Sequence, residues 1–337
     1  MKKPYITIII PIHNGENEVM NAIDSIYSQK ITSDDFEVIC IDDASTDETF
    51  RLLRSLQKSN LKIIHHSSSR GRGGACNHAV DVAKGEYILF CDHDDAFMPG
   101  SLRQVIALLI SENSQGELLD LLMCDHVRSD DTTGRMYYTH NSSIKMKGTE
   151  FISTQKVPWT PWMYAYRRQF LIEQNIRSRE NVSFDDTDYV LRCTVRAMAM
   201  KYEPICLYRY SVDCRPGQSV KVGNNIRKIE QLFMTCKAIQ EEVVLYISQD
   251  KVVASALLGH YSYAYGMNIL RYFWRISFSE RKRLLKDYPA FFIGVPKRLQ
   301  DWITWGAYKA PLLLALSCSL GIPLFKMVEL VRKIIKN

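Results

Sequence analysis

Residues 6–12 read ITIIIPI, β-branched at every position except Pro11. A strand with one face in water alternates apolar and polar side chains, so a run with no charged position must be covered on both faces. The pattern then repeats. Residues 16–29 carry Val19, Ile23, Ile26 and Tyr27 at helical spacing, and residues 36–41 form a second apolar run. Ser45-x-x-Glu48 reads as a capping box for a helix holding Phe50, Leu53 and Leu56. Further runs at 61–65, 86–91 and 119–124 read as strands, with helices expected near 75–83 and 102–111. Buried strands alternating with helices predict an α/β fold, a mostly parallel sheet with helices on both faces. Ligands of such sheets bind outside the carboxyl ends of the strands. Three polar motifs stand at those ends, Pro11-Ile12-His13-Asn14, Asp42-Asp43 and Asp92–Asp95, and are expected to converge on one edge.

The 337 residues suffice for one large domain and a smaller one. After about residue 215 the alternation stops: 226–248 and 252–276 read as helices, and Ser279 as the cap of a short one. A boundary is placed near Arg215-Pro216-Gly217, giving domains 1–215 and 216–337. The net charge of +6 is uneven, since residues 280–337 hold eleven Lys and Arg against four Asp and Glu. A basic tail of this kind meets an anionic membrane surface or nucleic acid, or is merely solvated; the membrane surface is the partner expected here, and no nucleic acid. Nine cysteines without a CxxC pair fit reduced thiols in a cytoplasm. The opening apolar run is short and broken by Pro11, so it reads as a first strand and not as a secretory leader.

Residues 91–95, CDHDD, place three carboxylates within four positions directly after an apolar run. Like charges repel and buried ones cost desolvation, and a hard divalent cation such as Mg²⁺ or Mn²⁺ offsets both. The plainer reading is a cluster at a helix N-terminus. An EF-hand is excluded, because the sixth and twelfth positions from Asp92 are Phe97 and Arg103, not Gly and Glu. Gly71-Arg72-Gly73-Gly74 mimics a dinucleotide fingerprint but has Cys76 where the third glycine belongs. Arg70 or Arg72 is suited to a phosphate, or each is merely solvated. Asp185-Asp186, far along the chain, could supply a general base or cap a helix.

Taken in order, these motifs resemble the family 2 glycosyltransferases, the inverting GT-A type of bacterial surface-polysaccharide synthesis. IIIPIHNGENEV is similar to that family's strand–P-x-Y-N-x-E opening, with His13 where Tyr is usual. VICIDDASTDET resembles its V-D-D-x-S-x-D segment, and GRGGACNHAVDVAKGEYILFCDHDDAFMPGSL its stretch through D-x-D-D. WTPWMYAYRRQFLIEQNIRS and FDDTDYVLR resemble its acceptor-side segment and its E-D-x-x-F-x-L-R motif. The likeness covers residues 6–215. It implies a Rossmann-like GT-A domain that moves a sugar from a nucleotide-diphosphate donor, a UDP-sugar first, to a glycan or polyprenyl-linked acceptor. Pro11, His13, Asn14 and Glu16 would line the nucleotide pocket, with Asp43 on the base, Asp92 on the ribose and Asp94 on the metal. Asp186 would be the general base, with Asp185 where Glu is usual. The family's Arg before Asn77 is Cys76 here, which leaves phosphate contact to Arg70 or Arg72, and the segment after Tyr208 lacks the family's His. Trp162, with Trp159, Tyr164 and Tyr166, is suited to stacking on an acceptor sugar, although at least two of the four are expected in the core.

Residues 310–325 are uncharged but shorter than a membrane span and interrupted by Pro311, Gly321 and Pro323. From Lys326 the pattern suits an interfacial helix, which would place the protein peripherally on the cytoplasmic face of a membrane; the plainer reading is a tail helix packed on its own domain. Two alternatives stand beside the transferase: a nucleotidyltransferase acting on sugar phosphates, which would need a Gly-rich loop directly after the first strand, and a non-catalytic nucleotide-sugar binder.

Overall fold

The computed structural model describes residues 3–128, 136–137, 142–155, 157–182, 185–211, 226–257 and 275–288, together with 297, 300, 301 and 304. In chain order its elements are β1 (Ile6–Ile12), α1 (Val19–Tyr27), β2 (Phe36–Asp42), α2 (Thr49–Ser55), β3 (Leu61–His65), α3 (Gly71–Val82), β4 (Tyr87–Phe90) and β5 (Ala96–Phe97). There follow α4 (Ser101–Ser114), β6 (Leu121–Arg128), β7 (Met136–Tyr137), β8 (Ile144–Met146), α5 (Gly148–Thr154), β9 (Tyr164–Arg167), α6 (Arg168–Glu173), α7 (Asp185–Arg196) and β10 (Met200–Tyr210). The chain divides into two compact units, residues 1–215 and 216–337.

One sheet runs in the order β3-β2-β1-β4-β9-β6-β10-β5, with β7 on β6 and β8 on β10. The strands β3, β2, β1 and β4 are parallel neighbours, as are β6 and β10. Between these blocks lies β9, antiparallel to both β4 and β6. Every residue of β1 is buried, which is why that strand can be apolar throughout. Burying one such isoleucine contributes about 1.5–3 kcal/mol. α1 turns Val19, Ala22, Ile23 and Ile26 inward at helical spacing.

The loops differ from expectation in informative ways. Ser45 does not cap α2. Its hydroxyl accepts the Asn14 N–H at 2.9 Å, and Glu48 stands at the N-cap position without a side-chain cap bond. The Gly-rich segment at 71–74 is the first turn of α3 and not a loop before it. β5 is a two-residue strand that no sequence run announced.

In the second unit α8 (Ile226–Ile247) and α9 (Lys251–Leu257) are helical as expected, but positions 258–274 lie outside the described residues. The short helix α10 (Phe278–Asp287) is capped by Ser277 and not by Ser279. The Ser277 hydroxyl accepts the Glu280 N–H, and the Glu280 carboxylate accepts the Ser277 N–H at 2.8 Å. The segments 310–325 and 326–337 lie outside the described residues. Among the described residues no helix is long and apolar enough to cross a membrane.

Candidate active site

The carboxyl ends of β1, β2 and β4 do converge. β4 pairs with β1 only as far as Ile9–Phe90, so Pro11 falls where the sheet opens and its missing N–H breaks no bond to β4. Beyond it the β1–α1 and β2–α2 loops are stitched together. Gly15 N–H donates to Thr49 Oγ1 at 2.9 Å, Thr46 N–H to Asn14 Oδ1 at 2.8 Å, and Glu48 N–H to Glu16 Oε2 at 2.9 Å. Asn14 adopts the left-handed conformation (φ 55°) that Asn tolerates better than most residues. Its side chain and that of Glu16 therefore hold the neighbouring loop. His13 Nδ1 lies 2.9 Å from the Asp43 carbonyl oxygen, closing the same seam. Gly15 admits the third motif: a Cβ there would stand 2.5 Å from His93 Cδ2.

Asp43, only 3% exposed, is surrounded by donors. The Arg70 N–H (2.9 Å), the Ser69 hydroxyl (2.6 Å) and His66 Nδ1 (2.7 Å) all meet its carboxylate. Burial alone would raise its pKa, but these hydrogen bonds outweigh burial and hold it below the usual carboxylate value. His66 continues outward, with Nε2 2.9 Å from His78 Nδ1 on α3. Desolvation, then His66 and Arg70, hold His78 below its ordinary pKa. A second pair, Asp42–His65 at 2.6 Å, runs beside the first. None of the three histidines is picked out by the sequence; His65 and His66 reach the site because β2 and β3 pair in parallel with Asp42 opposite His65.

The DHDD loop contains three differently placed carboxylates. Asp95 is fully buried; its oxygens accept the Ser211 N–H at 2.7 Å and the Tyr208 hydroxyl at 2.9 Å. Desolvation, then the charges of Asp92 and Asp94, push its pKa up to about 8. Asp94 is exposed, yet desolvation and the charge of Asp92 raise it against the pull of His93. Asp92 Oδ1 lies 3.0 Å from Arg72 Nε. The same guanidinium reaches Asp186 Oδ1 at 3.1 Å through Nη1, so α7 is tied to the end of β4. Desolvation and Asp92 raise the Asp186 carboxyl above its usual range, and Arg72 opposes them. α7 is itself anchored by the buried Asp188, which accepts from Arg192 Nη2 at 2.8 Å and Arg179 Nε at 3.0 Å. Asp185 opens α7, and its side chain lies outside the described residues. Arg70 is drawn off to one side, forking onto Glu180 at 2.7 and 3.3 Å.

No group of three or more Asp, Glu, His or Cys stands ready to hold a metal ion among the described residues. A hard cation of the Mg²⁺ or Mn²⁺ kind takes one or two protein carboxylates and completes its shell with phosphate and water. Asp94 has the donor chemistry such a cation takes, and the upward shifts in this loop come from desolvation first and then from neighbouring like charge.

On the far side, Trp162 is 5% exposed and stacks on Tyr208 (4.4 Å between ring centres) and Tyr210 (5.6 Å). Tyr164 and Tyr166 are fully buried, so both belong to the core. Tyr208 also accepts the Asp92 N–H at 2.9 Å, which links the aromatic stack to the acidic loop.

Comparison with known proteins agrees with this arrangement. The sequence model described as Glycosyl transferase family 2 matches residues 7–175. The chain belongs to that family. Among curated relatives, the poly(ribitol-phosphate) beta-glucosyltransferase of Bacillus spizizenii is 41% identical over 93 residues, covering 27% of this chain and 15% of its own length. Other curated relatives are matched over about three-fifths of their length. Among solved structures, Staphylococcus aureus TarS 1–349 in complex with UDP superposes with a TM-score of 0.72 at 19% identity, over 94% of this chain and 92% of that one. The mannosyltransferase PcManGT of Pyrobaculum calidifontis, in complex with GDP-Man and Mn²⁺, gives 0.52 at 18% identity over 95% and 88%. At these identities the structural likeness establishes the GT-A fold.

Proposed function

We propose that this chain transfers a sugar from a nucleotide-diphosphate donor, a UDP-sugar, to a hydroxyl of a glycan or polyprenyl-linked acceptor, with inversion at the anomeric carbon. One observation carries the reading: Asp186 on α7 is held within one guanidinium of Asp92 in the DHDD loop. Two carboxylates from distant parts of the chain gathered around one cation at the end of β4 are suited to serving one ligand. The UDP complex of TarS supports a UDP-sugar donor, and the name of the Bacillus relative, with a poly(ribitol-phosphate) acceptor, supports a cell-surface polymer as acceptor class.

In this reading Asp43 accepts from the base, and its lowered pKa keeps it an acceptor throughout the physiological range. The stitched loops that carry Asn14 and Glu16 form a rigid wall of the nucleotide site. Asp92 faces the ribose. A divalent cation at Asp94 would offset the charge of the departing diphosphate. Asp186 takes the proton from the acceptor hydroxyl as that oxygen attacks from the opposite face, in a single displacement. Trp162, mostly covered, would offer an acceptor sugar only its edge.

The test is calorimetric titration of UDP, GDP and ADP, each with and without Mn²⁺, into wild type and Asp94→Asn. One nucleotide should bind with a requirement for metal, and the variant should lose that requirement together with at least about tenfold in affinity, the effect of one charge-assisted ligand. Metal-independent binding, unchanged in Asp94→Asn, would remove the cation from the reading.

The basic segment 280–337 supports a peripheral position on an anionic cytoplasmic leaflet, where a lipid-linked acceptor resides. The full chain should sediment with anionic vesicles at low salt and be released by salt; failure to sediment would leave the acceptor to be sought in solution.

A further inference from the structure

Cys76 stands where the family resemblance leads one to expect an arginine, and it is buried. Arg72 lies four residues earlier on α3, so its side chain leaves the same helical face one turn nearer the N-terminus. From there it spans the cleft, with Nε 3.0 Å from Asp92 Oδ1 beyond β4 and Nη1 3.1 Å from Asp186 Oδ1 on α7. Arg70, the other cation of this segment, is engaged with Glu180.

We propose that Arg72 is a donor-operated clasp: in the empty enzyme it ties Asp186 to Asp92, and an arriving nucleoside diphosphate draws the guanidinium onto its phosphates and releases Asp186 to the acceptor. This rests on the donor-site reading above and adds to it an order of events.

Three features favour an exchange over a fixed brace. A guanidinium presents its donors as a planar fork that matches phosphate as well as carboxylate. The side chains concerned are open to solvent, Arg72 at 28% and Asp186 at 45%, and part-exposed ion pairs are weak enough to trade partners. One cation shared between two carboxylates also leaves a net negative charge that repels a diphosphate, and turning the arginine toward the incoming anion places the cation between them. The clasp reaches residues 20 and 114 positions away, so it joins three elements whose relative placement defines the cleft. While clasped, Asp186 is engaged as an acceptor and is a poorer base. Loading the donor therefore precedes activation of the acceptor.

The two effects separate in a double-mutant cycle on nucleotide affinity, measured by calorimetry on the full chain with UDP or GDP and Mn²⁺. Asp186→Asn removes the competitor for Arg72 and should tighten binding about two- to fivefold, the range a part-exposed pair supports. Arg72→Ala should weaken it by at least about tenfold. In the Arg72→Ala background, Asp186→Asn should have no effect. An equal tightening in both backgrounds would mean that Asp186 acts only as a nearby negative charge, and the clasp would be wrong. So would an unchanged affinity in Arg72→Ala, which would make the arginine a brace. Thermal melting controls for folding. If Arg72→Ala does not melt cooperatively, Arg72→Lys takes its place: lysine lacks the fork, and the gain from Asp186→Asn should shrink to less than half. If neither nucleotide binds the folded wild type, the donor-site reading itself fails and takes the clasp with it.

Discussion

Asp186→Asn lowers the rate of sugar transfer by about 10²–10⁴-fold, the contribution of a general base, and leaves nucleotide affinity at or above the wild-type value. The asymmetry follows from partners: the Asp186 side chain pairs with Arg72, while Asp43 is held by the β3–α3 loop and the stitched loops by each other. The pH profile provides a second readout. A base must be ionised to act, and although the Asp186 side chain is 45% exposed, desolvation of its carboxyl and the charge of Asp92 still raise it above the ordinary carboxylate range. The acid limb of kcat should therefore fall at a higher pH than a solvent-exposed aspartate would give, and in Asp186→Asn it should vanish along with the activity. Single-turnover transfer from UDP-sugars, followed across pH, measures both. Wild-type turnover in the variant would move the base elsewhere, and full nucleotide binding with no transfer in either protein would favour the non-catalytic binder.

Gly148→Ala destabilises the first unit by about 3 kcal/mol, which lowers its melting temperature by roughly 5–10 °C. A Cβ at this position would stand 1.6 Å from the Thr194 carbonyl oxygen and 2.7 Å from its carbon. The obstacle is the backbone of α7, not the end of a flexible side chain, so the contact can be relieved only by moving a helix. The Gly148 N–H also donates to the Ala197 carbonyl at 2.9 Å, so the close approach is bonded as well as packed. Because α7 carries Asp186, the variant should lose activity at temperatures where it remains folded. Differential scanning calorimetry, paired with transfer assays well below the transition, separates the two effects. An unchanged melting temperature would show that α5 can shift without cost.

Much of this was legible in the residues. A run like ITIIIPI admits only a strand covered on both faces, and the spacing of Val19, Ile23 and Ile26 gives α1 its buried stripe. Because these are parallel strands, the ends of β1, β2 and β4 had to meet, which brought His13, Asp43 and the DHDD loop together before any coordinate was known. What escaped were choices made between distant side chains. Ser45 stands at a plausible capping distance from Glu48, but the N–H it satisfies belongs to Asn14, across the sheet edge. The spacing of Asp43 does not reveal that the β3–α3 loop supplies its hydrogen-bond donors. Arg72 could be assigned to phosphate by its charge alone, whereas its two carboxylate partners are set by the tertiary fold. Trp162 looked like a stacking platform by type, and only packing shows Tyr208 and Tyr210 already against it.

The placement of β9 has a consequence for how the protein is made. β4 has β1 on one side, but its other neighbour is β9, which lies beyond all of α4, β6 and α5 in the chain. At about 5–20 residues per second, a ribosome that has just finished β4 needs roughly 4–15 s more to deliver the residues that cover it. Throughout that interval an apolar strand edge, Tyr87-Ile88-Leu89-Phe90, stands open beside a nascent chain. The first unit thus cannot complete its sheet piecemeal. Its first four parallel strands wait, with the far edge of β4 uncovered, until β9 emerges, and an open strand edge is a template for aggregation.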